Sequence, residues 1–99
     1  MSAPESILID NHDAVSAITS VADGRARVDE IDAVLRDLIA ARQRISARIQ
    51  QLRMSDGGLR VEQHREHEVL TAWSAQLGLA GADVARALLL LCRGPVAGQ

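Results

Sequence analysis

The sequence is nearly free of aromatic residues, cysteine and lysine. Among its 99 residues Trp73 is the single aromatic one, Cys92 is the single cysteine, and all eleven basic residues are arginine. One cysteine excludes a disulfide within the chain and is typical of a reducing compartment. A core with so few aromatic rings has to be largely aliphatic, which favours helices packed on helices. The formal net charge of −2 gives no indication of nucleic-acid binding.

Long apolar runs are absent as well. No stretch approaches the roughly 20 apolar residues that span a bilayer, and the N-terminus lacks the basic stretch and apolar run of a signal peptide. We therefore expect a cytoplasmic protein without a membrane partner. A chain of 99 residues allows one domain at most, and so short a chain can enlarge its core by forming an oligomer.

Helical periodicity is the strongest pattern that the sequence contains. From Val28 to Leu52 the apolar residues recur every three or four positions, which is the seam of a long amphipathic helix. This seam predicts a first helix over about residues 25–55, with Asp23-Gly24 as its N-cap region and Asp56-Gly57-Gly58 as its end. Two shorter helices are predicted over residues 61–76 and 82–93, and no segment has a strand pattern. The predicted fold class is all-α, with one long helix and two short ones.

One arginine interrupts the apolar seam of the first helix. Arg42 occupies a position where the spacing predicts an apolar residue. A guanidinium there needs an anionic partner, since burying an unpaired charge is very costly. The partner is either a carboxylate of the chain, for instance Glu62 or Glu66, or a carboxylate of a ligand. Arg53 projects from nearly the same helix face three turns later, and Arg65 precedes Glu66 in the second helix.

Metal and nucleophile chemistry have little support in the sequence. His64 and His67 are three residues apart on a predicted helix, but no third ligand lies at a supporting distance. Cys92 lies in an apolar run, where a lone cysteine is most often a small core residue. A phosphate-binding glycine loop and a nucleophile elbow are also missing. We therefore predict no metal site, and the arginines and glutamates remain as the candidate site.

The order and spacing of those charged residues resemble a known family. Arg25, Arg42, Arg53, Arg65 and Glu66 follow one another, with an Asp-Gly-Gly turn between the third and the fourth. Over roughly residues 24–94 the chain resembles the small all-helical chorismate mutases, and most closely their short actinobacterial subclass. The resemblance implies a chorismate-mutase-like helical domain at 24–94, followed by a tail at 95–99. The weak patterning before it predicts a flexible arm at 1–23.

The resemblance implies both an architecture and a reaction. The long first helices of two subunits would pair in an intertwined homodimer, which would cover a helix too long for its own chain to cover. The enzyme would be an isomerase that rearranges chorismate to prephenate, in aromatic amino acid synthesis or a specialised aromatic pathway. The step is intramolecular and pericyclic and needs no cofactor. The protein's task is then to hold the reactive conformer and to stabilise developing charge.

A role for each charged residue also follows from the resemblance. Arg42, Arg65 and the partner subunit's Arg25 would bind the two carboxylates of the substrate. Arg53 would stabilise the negative charge that develops on the ether oxygen as its bond breaks. Glu66 matches a position that contacts the side of the substrate carrying the ring hydroxyl.

Three alternatives stay open at this point. Glu62 matches a position that is acidic in some branches of the family and not in the closest subclass. Because a carboxylate gains a charge-assisted hydrogen bond from an ammonium, a mutase acting on 4-amino-4-deoxychorismate is one alternative. Pyruvate elimination from isochorismate is the second, and a weakly active helical regulatory subunit of an aromatic-pathway enzyme is the third. Some members of the subclass are stimulated by the first enzyme of the shikimate pathway through their C-terminal tail, which makes that enzyme a candidate partner.

Overall fold

The computed structural model describes residues 15–57 and 62–93. Within these ranges the chain is helical and has no strand, with helices α1 (Val21–Ser55), α2 (Gln63–Leu77) and α3 (Leu79–Arg93). The predicted all-α class, with one long helix followed by two short ones, is therefore confirmed. The chain forms two compact units, residues 1–38 and residues 39–99, and each is described by itself below.

In the first unit, α1 begins at Val21, which is earlier than the sequence predicts. The backbone N–H of Asp23 donates a hydrogen bond of 3.0 Å to Oγ of Ser20, and a serine in this position satisfies an N–H that would otherwise lack a helical partner. Placing the N-cap at Asp23-Gly24 was wrong, because both residues already lie in the first turns of the helix. Most of the predicted flexible arm, residues 1–14, lies outside the described residues.

The apolar seam of α1 is exposed along its whole length. No residue of this helix is buried. In the first unit the seam is formed by side chains that are 37% to 54% exposed, namely Val28, Ile31, Leu35 and Leu38. In the second unit it is formed by side chains that are 48% to 61% exposed, namely Ile45, Ile49 and Leu52. The described residues of the chain therefore leave this seam largely uncovered.

The end of α1 follows the prediction. The helix ends at Ser55, and Gly57 adopts a φ of +77°, the left-handed conformation that commonly follows a helix and that glycine adopts without strain. Its backbone N–H donates a hydrogen bond of 3.1 Å to the carbonyl of Met54. Gly58, the second glycine of the predicted turn, lies outside the described residues.

The core of the second unit lies between α2 and α3. Its buried apolar residues are Val69 of α2 and, on α3, Ala82, Ala85, Leu88 and Cys92. The burial of Cys92 confirms the prediction that it is a small core residue. The C-terminal part of α1 is linked to this pair by Nε2 of Gln43, which donates a hydrogen bond of 3.4 Å to the carbonyl of Leu91.

A single glycine connects α2 to α3. Gly78 has φ 80° and ψ −166°, a backbone region that is essentially restricted to glycine. Its N–H donates a hydrogen bond of 2.8 Å to the carbonyl of Ser74, and α3 begins directly afterwards at Leu79. The predicted start at Ala82 was wrong, because one glycine is enough to reverse the chain and no longer loop is needed.

The two short helices approach each other closely at a second glycine. A Cβ atom added to the buried Gly81 would lie 2.5 Å from Cβ of Leu77 and 2.7 Å from the carbonyl oxygen of Trp73. Only a residue without a side chain fits there. This contact sets the packing of α3 on α2, and with it the position of the side chains at the far end of α3.

In the part of the chain described here, none of the helices combines the length and the hydropathy needed to cross a membrane.

Candidate functional site

An open cleft in the second unit collects most of the predicted site residues. It has a volume of about 170 Å³ and is lined by side chains from the C-terminal part of α1, the start of α2 and the end of α3. Five of the six predicted site residues line it, namely Arg42, Arg53, Glu62, Arg65 and Glu66. The remaining lining residues are Ser46, Ile49, Gln50, Val69, Leu89, Cys92 and Arg93.

Helical periodicity explains why residues so far apart in sequence line one cleft. On α1 the lining residues recur at steps of three or four along one face, from Arg42 through Ser46 and Ile49 to Arg53. On α2 the same spacing connects Arg65 and Glu66 in the first turns to Val69, which anchors the helix in the core. The polar lining residues therefore project from helices whose packing holds them in place.

The cleft carries an excess of positive charge. Four arginines line it against two glutamates, a formal excess of two positive charges. The protein as a whole has a net charge of −2, so the basic character is local. Walls of low polarity such as Ile49, Val69 and Leu89 strengthen electrostatic interactions within such a cleft. The arrangement favours a small anionic ligand.

Two of the four arginines form long or exposed ion pairs with glutamates. Nη2 of Arg53 lies 3.8 Å from Oε2 of Glu62, and the Arg53 side chain is 24% exposed. Nη1 of Arg65 lies 3.3 Å from Oε1 of Glu68 on the same helix, and both side chains are more than half exposed. An exposed pair such as Arg65–Glu68 contributes little to stability. Arg65 can therefore exchange Glu68 for a ligand at small cost.

A third arginine, which the sequence did not lead us to include, makes an ion pair that is shorter than either of these two. Nη2 of Arg93 donates to both carboxylate oxygens of Glu66, at 2.7 Å to Oε1 and 2.6 Å to Oε2. The Arg93 and Glu66 side chains are 30% and 23% exposed. Arg93 follows an apolar helix segment and adjoins the buried Cys92. The available signal was an arginine directly after an apolar run, whereas Arg42 was found because it interrupts an apolar seam.

The fourth arginine is Arg42, and neither of its predicted internal partners is paired with it. Glu62 lies against Arg53 and Glu66 is held by Arg93. Arg42 is half-buried and lines the cleft, yet within residues 15–57 and 62–93 it makes no ion pair and no hydrogen bond from its side chain. Among the described residues, neither carboxylate that the sequence offers as a partner is therefore paired with Arg42.

Arg25, the sixth predicted site residue, belongs to the other unit. It lies in α1 within residues 1–38 and is exposed. Its predicted contribution to the site of a partner subunit stays a prediction.

The histidines of α2 are remote from any cluster of ligands. His64 is 83% exposed and lies 3.6 Å from Glu68, and the described residues contain no group of three His, Cys, Asp or Glu side chains arranged to hold a metal ion.

Comparison with known proteins gives a consistent set of relatives. The chain is 35% identical over 82 residues to a protein of Mycolicibacterium smegmatis named intracellular chorismate mutase, an alignment that spans 83% of this chain and 79% of the relative. It is 39% identical over 70 residues to proteins of the same name from Mycobacterium bovis and Mycobacterium tuberculosis, spanning 71% of this chain and 66% of each relative. No family model matches the chain, and no solved structure matches it.

Proposed function

The chain belongs to the chorismate mutase family, and we propose that the basic cleft of its second unit rearranges chorismate to prephenate. Membership of this family makes the protein an isomerase. The observation that carries the proposal for the cleft is Arg42, a half-buried guanidinium without an ion pair among the described residues. The relatives' names also support an intracellular location for this chain.

The charge of the cleft suits this substrate. Chorismate carries two carboxylates, and the cleft has a formal excess of two positive charges. We assign one carboxylate to Arg42, which needs no rearrangement to receive it. Arg65 would bind carboxylate oxygens after leaving Glu68, and giving up an exposed pair one helical turn away costs only about 0.2–0.5 kcal/mol. A charge-assisted hydrogen bond to the ligand is stronger than that.

The reaction needs stabilisation of charge rather than transfer of a proton. In one intramolecular step the ether C–O bond breaks while a new C–C bond forms, so all atoms of the substrate are kept in the product. Negative charge grows on the ether oxygen as its bond breaks. Arg53 is the residue we assign to that oxygen, because its side chain is only 24% exposed and is already directed into the cleft. A cation fixed in advance acts mainly on the transition state.

The acidic residues of the cleft have different surroundings and receive different roles. Glu66 would accept a hydrogen bond from the ring hydroxyl, since a carboxylate has more lone pairs than Arg93 occupies. Glu62 is 58% exposed and lies against Arg53, where it moderates the positive charge facing the ether oxygen. The relatives are named for the chorismate reaction, so the 4-amino-4-deoxychorismate and regulatory-subunit alternatives are not favoured.

A second copy of the chain would complete the site. The α1 seam is exposed from Val28 to Leu52, and the cleft is open on one side. We propose that two α1 helices pair along their seams and that the partner subunit's Arg25 closes the cleft.

The oligomeric state tests this pairing. Light scattering at micromolar concentration should give twice the chain mass of 10.6 kDa. The Leu38→Glu chain should be monomeric and inactive. Arg36→Glu introduces the same side chain, with a larger change of charge, at an exposed position of α1 outside the seam, and it should remain dimeric. A monomeric wild type with full activity contradicts the pairing.

The family resemblance also supports an association with the first enzyme of the shikimate pathway. The tail at 95–99 lies outside the described residues, but α3 ends beside it with Leu90 and Leu91 exposed by 66% and 47%. These leucines would form part of the contact. Addition of that enzyme should raise the turnover number of the isolated protein, and unchanged turnover in its presence argues against the association.

The experiment that tests the proposed function is direct observation of the product. Chorismate and prephenate are isomers with the same mass, so proton NMR rather than mass spectrometry has to follow the conversion. Purified protein is incubated separately with chorismate, 4-amino-4-deoxychorismate and isochorismate. We expect prephenate from chorismate and no release of pyruvate from isochorismate. Absence of prephenate, from the protein alone and with the partner enzyme added, contradicts the proposal.

A further inference from the structure

We propose that Arg93 is a positioning residue, which holds the Glu66 carboxylate away from Arg42 and so leaves Arg42 available to the substrate. This inference rests on the proposed function of the cleft. It concerns Arg42, which is assigned to the substrate carboxylate, and Glu66, whose opposite charge would pair with Arg42 if it were not held elsewhere.

The geometry of the Arg93–Glu66 pair distinguishes it from the other ion pairs of the cleft. Arg93 lies in the last turn of α3, and its Nη2 atom is within 2.7 Å of both oxygens of Glu66, 27 residues earlier in the chain. Both side chains are about three-quarters shielded from solvent. By contrast, the Arg53–Glu62 distance is 3.8 Å. A short, partly buried pair is screened less by water and salt, so it fixes the Glu66 carboxylate more firmly.

The position of Glu66 explains why this restraint matters for binding. Glu66 and Arg42 line the same cleft, and Glu66 is one of the carboxylates that sequence spacing makes a candidate partner of Arg42. If Arg93 lost its charge, Glu66 would be released next to the other arginines of the cleft. A Glu66–Arg42 pair in the free enzyme would compete with the substrate carboxylate. Such competition raises KM and leaves kcat largely unchanged, because it acts on the free enzyme.

A double-mutant cycle separates this role from a structural one. We compare the wild type, Arg93→Gln, Glu66→Gln and the double variant, measuring KM, kcat and thermal stability for each. Arg86→Gln is the matched control, because Arg86 is an arginine of the same helix that pairs with Asp83 at 2.6 Å and does not line the cleft. Arg93→Lys is the conservative variant, since its ammonium can still donate to Glu66.

The proposal makes a specific forecast for this cycle. Arg93→Gln should raise KM on the order of tenfold while changing kcat much less. In the Glu66→Gln background the same substitution should leave KM unchanged, because no carboxylate is left to be released. Arg93→Lys should restore KM to near the wild-type value, and Arg86→Gln should resemble the wild type. If Arg93→Gln is too unstable to assay, Arg93→Met, which keeps the aliphatic stem, takes its place in the cycle.

Two results would overturn the inference. One is that Arg93→Gln raises KM by the same factor in the wild-type and in the Glu66→Gln background. The other is a fall of kcat with KM unchanged, which would mean that Arg93 acts on the reaction and not on the availability of Arg42. Failure of the proposed function looks different, because the wild type and Arg86→Gln would then form no prephenate at all, and the inference would fall with it.

Discussion

Replacement of Gly81 by alanine tests the packing that holds α3, and with it Arg93, against α2. The added Cβ would lie 2.5 Å from Cβ of Leu77 and 2.7 Å from the carbonyl oxygen of Trp73. Neither atom is the end of a flexible side chain, so the helices must separate by a large part of an ångström. Overpacking of this kind costs about 1–3 kcal/mol, and the better helix propensity of alanine offsets up to about 1 kcal/mol. We expect a net loss of about 1–2 kcal/mol in the free energy of unfolding.

The assay is thermal or urea unfolding at one fixed protein concentration, with Gly24→Ala as the matched control. Gly24 is also helical, but a Cβ atom there would meet only Cγ2 of Ile18, at an ordinary contact distance of 3.5 Å. Alanine should therefore stabilise the protein at position 24, by about 0.4–1 kcal/mol, and destabilise it at position 81. A loss of about 1–2 kcal/mol lowers Tm by roughly 4–16 °C for a domain of this size. If Gly81→Ala is as stable as Gly24→Ala, the close approach of α2 and α3 is refuted.

Three further predictions concern the turn, the shared site and the acidic lining. Gly78→Ala should lose about 1–3 kcal/mol of stability, checked by the same unfolding assay, although the added Cβ meets no atom within 4 Å; no loss would contradict the strained turn. Mixing Arg25→Ala with Arg42→Ala chains should restore about one working site per heterodimer, and no recovery after subunit exchange, verified by mass spectrometry, argues against a shared site. Glu62→Gln should change stability by less than about 0.5 kcal/mol and reduce kcat/KM for 4-amino-4-deoxychorismate more than for chorismate; equal losses would leave Glu62 without a role in selectivity.

The helical class was predictable because apolar spacing alone determines it. The seam from Val28 to Leu52 has the period of a helix and of no other element. The helix boundaries were harder to predict, since they depend on single local interactions. Ser20 starts α1 through its hydroxyl, and Gly78 reverses the chain alone where the sequence suggested a longer loop. Boundaries of this kind are decided by backbone hydrogen bonds that periodicity does not contain.

Five of the six charged residues that line the cleft could be named from the sequence, because arginine and glutamate at helical spacing share a face. Arg42 and Arg53 were identified in this way, and both line the cleft. Arg93 was missed because its partner, Glu66, lies 27 residues away on another helix. Such a pair depends on how α3 packs against α2, which the close approach at Gly81 determines. Spacing along one helix therefore predicts which residues can line a ligand site. It does not predict which carboxylate each arginine pairs with when no ligand is bound.

Comparison of kcat/KM for chorismate between the wild type, Arg42→Gln and Arg44→Gln tests the central claim most directly. Arg44 is an exposed arginine of the same helix and does not line the cleft. The Arg42→Gln substitution should remove a charge-assisted hydrogen bond to the substrate carboxylate, which is worth about 2–3 kcal/mol. This loss corresponds to a fall in kcat/KM of roughly 30- to 150-fold. Its stability should stay within about 0.5 kcal/mol of the wild type, because Arg42 makes no ion pair among the described residues. Arg44→Gln should retain wild-type activity. Equal kcat/KM in all three proteins, or an equal loss in both variants, would contradict the assignment of Arg42 to the substrate carboxylate.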